Sequence, residues 1–141
     1  NRVKDCYSVL VEEFNVMNSK NINGNKHNFK RFTVYSLPKG VDGDEFWKYH
    51  THVHAKDVME ATGEYKTKYV LNRVKKTFYG NHDVFCFNET CWETEGDMEK
   101  ELKALNKTYL PNGKTVAEDF LNRVKDCYSV LVEEFNVMNL L

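Results

Sequence analysis

Three histidines fall within five residues, at His50, His52 and His54, and Asp57 follows three positions later. An imidazole titrates near neutrality, so it can take up or release a proton at ordinary pH, and a neighbouring carboxylate can orient it. On a helix, His50 and His54 share a face because they are four apart, and Asp57 lies near that face. His52 points away, roughly 200° round by its two-residue offset. The spacing singles out His54, His50 and Asp57 as candidates for acid–base chemistry, against the alternative that a single histidine merely packs in the core. Metal chemistry needs more ligands than HxxxH supplies, and no Glu follows the first His as in HExxH. Neither a metal nor a cofactor is expected.

Hydroxyls could assist. Tyr35, Tyr65, Tyr69 and Tyr79 all fall in β-prone segments, where a tyrosine ordinarily packs on the sheet with its hydroxyl at the rim. Tyr35 and Tyr69, with the apolar Phe46 and Trp47 of the histidine segment, are the substrate-binding candidates. Glu133 and Glu134, as neighbours on a strand, would project to opposite faces. The five-residue offset of Cys86 and Cys91 puts them on opposite faces too, which argues against a disulfide or a metal pair. No GxSxG, phosphate loop or dinucleotide fingerprint is present.

The elements that must carry these residues follow from pattern. Phe29 to Leu37 (FKRFTVYSL) reads as a strand. Pro38, Gly40 and Gly43 break it, and Asp42 or Asp44 opens a helix that ends at Gly63. Tyr65 to Tyr79 and Asp83 to Glu93 are strands on either side of a turn at Gly80-Asn81. Gly96 to Asn106 is a helix with Met98, Leu102 and Leu105 on one side, and Thr115 caps a short helix, VAEDFLNRV. The β-rich YSVLVEEF closes the chain. The resulting β-α-β-β-α-α-β order is α+β and matches the ferredoxin-like split βαβ pattern. It predicts a four-stranded antiparallel sheet in order 4-1-3-2, two helices on one face, and an apolar uncovered face that calls for a partner.

One feature sits outside that plan. Asn1 to Asn18 recurs letter for letter as Asn122 to Asn139, NRVKDCYSVLVEEFNVMN. Exposed positions drift readily, so perfect identity marks a recent event: an engineered duplication, a young natural one, or a terminal segment attached twice. The chain then divides into the duplicate, 1–18; a polar Asn/Gly/Lys linker, 19–28; and one domain, 29–139. Two identical strands cannot occupy one slot beside the first strand of that domain. The extra copy must extend the sheet, pair alternately within the chain, or swap into a neighbour.

Bulk properties bound the function. Lys and Arg number 20 against 21 Asp and Glu, for a net charge of −1. Without a basic excess, nucleic acid is not an expected partner. No apolar run approaches the ~20 residues that span a bilayer, and no leader peptide is read at the N-terminus. The four cysteines include Cys6 and Cys127, which are one position of the repeat, so a single copy of the domain holds an odd number. Such thiols point to a reducing, cytoplasmic setting.

The run FTVYSLPKGVDGDEFWKYHTHVHAKDV resembles the opening of EthD-type domains: a strand, a Pro-x-Gly entry, a Phe leading the first helix, and a His followed by a small residue near the helix end. His54-Ala55 fits that His, and Asp126 with VLVEEFNV resembles the closing Asp, last strand and acidic pair. The resemblance covers about residues 29–137. It implies a dimeric α+β barrel, in which two such sheets close face to face. It also implies a cofactor-free reaction of a polyketide pathway: decarboxylation, dehydration or cyclisation of an aromatic or polyketide-like small molecule. His54 would be the pocket histidine and His50 its helper. The alternatives are a non-catalytic small-molecule-binding or assembly module on the same fold, and a monooxygenase, cofactor-free or haem-dependent. A cavity reached by His54 and one or two tyrosines favours the enzyme.

Overall fold

The computed structural model describes residues 3–19 and 27–135. In chain order the elements are β1 (Ser8–Asn18), β2 (Phe29–Ser36), α1 (Gly43–Tyr49), a π-helical turn (His50–His54), α2 (Ala55–Thr62), β3 (Lys68–Tyr79), β4 (Cys86–Trp92), α3 (Glu95–Leu105), α4 (Val116–Leu121) and β5 (Lys125–Val132). Local chemistry explains the helix starts. The Asp42 carboxylate accepts from the amides of Asp44 and Glu45, both at 2.9 Å. Thr94 accepts from the Asp97 amide, and Thr115 with Glu118 forms a reciprocal capping box. Each satisfies backbone donors that the first helical turn leaves unpaired.

The strands form one antiparallel sheet in the order β1-β3-β4-β2-β5. It has five strands, not the four expected. Without β1, the order β5-β2-β4-β3 is 4-1-3-2 in chain numbering, and the last strand lies beside the first as expected. The extra copy extends the sheet at the far edge, pairing with β3 from Ser8↔Tyr79 to Asn18↔Lys68. The identical sequence at the other end pairs with β2, from Lys30↔Val132 to Ser36↔Lys125. The two copies thus form both edges of one sheet. They also use different windows of the same sequence, because β3 offers a long partner and β2 a short one.

β5 ends at Val132, so Glu133 and Glu134 lie beyond the strand rather than on its two faces; Glu134 forms an ion pair with Lys30. Ser19 and His27, at the two ends of the polar linker, both hydrogen-bond Thr67. Residues 20–26 lie outside the described residues.

The helices cover the sheet face that presents Tyr35, Tyr69, Leu71 and Cys86, and these pack with Phe46, Ala55, Val58, Val116 and Phe120 into the core. The other face carries Phe32, Val34, Val70 and Phe87, with Tyr128 and Val130 of β5 about half exposed. Cys86 and Cys91 fall on opposite faces, and all four thiols are free.

Candidate functional site

The histidine segment is a π turn inside a continuous helical run. The amide of Ala55 reaches back to the carbonyl of His50, an i→i+5 bond. The Thr51 hydroxyl donates to the Trp47 carbonyl at 2.8 Å, the carbonyl that an α-helical Thr51 amide would take. Such back-bonding bends helices, and π bulges recur at functional sites. The turn carries His50 and His54 inward together, with ring centroids 5.5 Å apart, and leaves His52 exposed.

His50 is fully buried, and its Nδ1 lies 2.5 Å from the Tyr35 hydroxyl. Burial drives the Tyr35 pKa well up, so the hydroxyl keeps its proton, and it shares one hydrogen bond with Nδ1 whose direction is set by the imidazole tautomer. The other ring nitrogen, Nε2, is buried and has no partner among the described residues. Burial, and then His54, press the His50 pKa well below its usual value. His50 and Tyr35 are therefore a neutral, interlocked pair behind the site rather than on its surface.

His54 faces a cavity of about 230 Å³ between the sheet and helices α2, α3 and α4. Its ring stacks on Phe120 at 4.4 Å. Burial lowers its pKa to about 4, with Asp119 opposing and Arg123 and Lys66 reinforcing. Its Nδ1 is buried and has no hydrogen-bond partner. The apolar wall comes from Val58, Leu102, Leu105, Val116 and Phe120, and the sheet adds a polar floor of Arg31, Thr33, Asn88, Thr90 and Ser129. Tyr69 also lines the cavity. Burial is the main cause that raises its pKa, so the hydroxyl remains a donor.

At one end Glu101 pairs with Lys66 at 2.7 Å, with side chains 1% and 0% exposed. Lys66 also donates to Thr62 Oγ1 at 2.5 Å, and burial lowers its pKa against the pull of Glu101. The second carboxylate oxygen of Glu101 has no partner, and neither has Nε of Arg31, whose guanidinium lies 5.0 Å above the Trp92 ring.

The predicted residues divide accordingly. His54 and Tyr69 line the cavity; His50 and Tyr35 stand directly behind. Phe46 and Trp47 do not line it: Phe46 is in the aromatic core against Tyr35 and Phe85, and Trp47 packs near Phe14 and Phe85. No hydrogen bond joins Asp57 to His54. Asp57 is half-buried in a surface groove with Tyr49, Asp119 and Arg123, and burial is the first cause raising its pKa. The carboxylate whose charge opposes burial at His54, without bonding to it, is Asp119 of α4, itself held by Tyr49 at 2.7 Å, Asn112 at 2.9 Å and Arg123.

Arg31, Lys66, Glu101 and Asp119 were not singled out in the sequence. Glu101 had a readable signal: it is three beyond Met98 and four before Leu105, on the apolar side of α3. Among the described residues, no group of three or more His, Cys, Asp or Glu is arranged to hold a metal, and no helix is long and apolar enough to cross a membrane. No protein-family model matches the chain, and no curated protein shows significant sequence similarity to it.

Proposed function

We propose that this chain is a cofactor-free, EthD-like enzyme that moves a proton with His54 on an aromatic or polyketide-like small molecule, in a decarboxylation, dehydration or cyclisation. The observation that carries this reading is a buried, neutral His54 with an unpartnered Nδ1 on the wall of a cavity with an apolar side and a polar floor. Such pockets are the usual form of small-molecule sites. A neutral imidazole accepts a proton from carbon beside a carbonyl, and the strong acid it becomes returns the proton readily. The Tyr69 hydroxyl supplies a preorganised donor for the oxyanion that develops.

On the same reading, the domain is a ferredoxin-like unit with an added edge strand. Two such units close face to face through the open sheet face as a dimeric barrel, in the reducing cytoplasm. The test is mass spectrometry of purified protein incubated with a panel of polyketide acids and enols. Turnover by the wild type and its loss in a folded His54→Ala variant are expected. Equal turnover in that variant removes His54 from the mechanism.

A second reading, a binder on the same fold, is favoured by one observation: no carboxylate orients His54 through its free Nδ1. Tight binding of panel members without conversion is its signature.

A further inference from the structure

We infer that the cavity beside His54 is built for a planar aromatic monoanion, whose charge Arg31 neutralises. The inference rests on the reading of this cavity as the ligand site and adds the ligand's charge.

Two cations and one anion meet at the β2–α3 end of the cavity. Lys66 and Glu101 neutralise each other at 2.7 Å, both enclosed. Arg31 is then the surplus charge. It lines the cavity, its Nε is buried without an acceptor, and no carboxylate is paired with it among the described residues. The acid at the opposite side, Asp119, is taken by Arg123, Tyr49 and Asn112 and does not line the cavity. His54 adds no charge, since burial keeps it neutral. A partly buried guanidinium whose Nε has no acceptor and which has no counter-ion is costly, and a carboxylate matches its donor fork.

The local surplus is a single charge, so a dianion would exceed it. The ring requirement comes from the other walls. Phe120 and the His54 ring lie stacked on one side, and aliphatic side chains of α2, α3 and α4 continue the apolar wall above the polar floor. The floor hydroxyls of Thr33 and Thr90 and the Asn88 amide can hydrogen-bond an oxygen held at Arg31.

Titration calorimetry of the full chain, at neutral pH and fixed salt, tests this with three matched probes: 2-naphthoate, 2-naphthalenemethanol and 2-naphthyl phosphate. Naphthoate should bind about tenfold or more tighter than the alcohol, as one charge-assisted contact gives, and tighter than the phosphate. Arg31→Gln should erase the preference for the acid over the alcohol. Arg31→Lys should retain part of it, with fold checked by circular dichroism. Quenching of Trp92 under Arg31 supplies an independent binding signal.

Equal affinity for acid and alcohol overturns the inference, as does a preference that survives in folded Arg31→Gln. Tighter binding of the phosphate overturns the monoanion assignment. Failure of all three probes to bind overturns the inference together with the ligand-site reading. Loss of the catalytic reading alone looks different: His54→Ala leaves turnover unchanged while the Arg31-dependent preference persists.

Discussion

Removing one half of the Lys66–Glu101 pair should be among the most damaging single changes in the molecule. The two side chains are 2.7 Å apart and 0% and 1% exposed, so neither charge is solvated. Lys66→Met fills a similar volume but leaves the Glu101 carboxylate buried without a cation. Breaking a buried pair in this way costs about 3–5 kcal/mol. The lost contacts of Lys66 with Thr62 Oγ1 and with the face of Tyr69 add to the same side. For a domain of this size the melting temperature should fall by about 10–15 °C.

The double variant Lys66→Met/Glu101→Leu removes both charges and should recover much of that loss, because a well-packed apolar replacement of a buried pair is often neutral. Urea unfolding of wild type, both single variants and the double variant closes the cycle, with an expected coupling of about 2–3 kcal/mol. A cost under about 1 kcal/mol for Lys66→Met, with an unchanged urea slope, would refute the burial argument. So would simple additivity of the two single variants.

Four further outcomes are expected. Because His54 has a folded pKa of about 4 against an ordinary 6.5, the unfolded chain binds more protons between these values. Stability therefore falls as pH drops through that window, by about 2 kcal/mol at pH 5 from His54 alone, with His50 acting in the same direction. Urea titrations at pH 7 and 5 check this, and a folded His54→Gln variant should show a flatter profile. Tyr35→Phe strands His50 Nδ1 in the core and should cost about 1–3 kcal/mol by the same measurement. Gly80→Ala would drive a Cβ to 2.2 Å from Tyr7 Cβ at a φ of +94°, so it should release the N-terminal segment and speed thiol labelling of Cys6. Deleting residues 1–28 should weaken the fold by exposing the β3 edge, yet leave ligand binding intact, since none of the cavity-lining residues comes from β1; loss of binding in a folded truncation would show that β1 shapes the site.

The readable parts of this molecule were those encoded locally. FKRFTVYS and KYVLNRVKKTFY are strands because branched and aromatic residues dominate them. The Asp42, Thr94 and Thr115 caps mark helix starts within a turn. The pairing of His50 with His54 followed from a four-residue offset that survives the π turn. What misled was geometry beyond that turn. Asp57 is three from His54 by count, yet it belongs to α2, which re-enters α geometry only at Ala55 and turns the carboxylate outward to the surface groove. Arg31 gave no sign, because a cation between Lys30 and Phe32 looks like a solvated strand residue until Trp92 lies under its guanidinium and its Nε is buried at the cavity. The slot of the duplicate could not be read from composition either, since it depends on which distant strand has a free edge long enough.

The duplicate has a consequence for how this molecule can be linked. The same four residues, Ser8–Val11 and Ser129–Val132, form strand at both ends of one sheet, and the aspartates before them, Asp5 and Asp126, share left-handed φ values of 53° and 51°. Anything that recognises this sequence by adding a strand therefore meets it at two edges, on opposite sides of the sheet. A monovalent binder would load two per chain. A bivalent one would join the edge of one molecule to the edge of the next, because each chain offers two such edges.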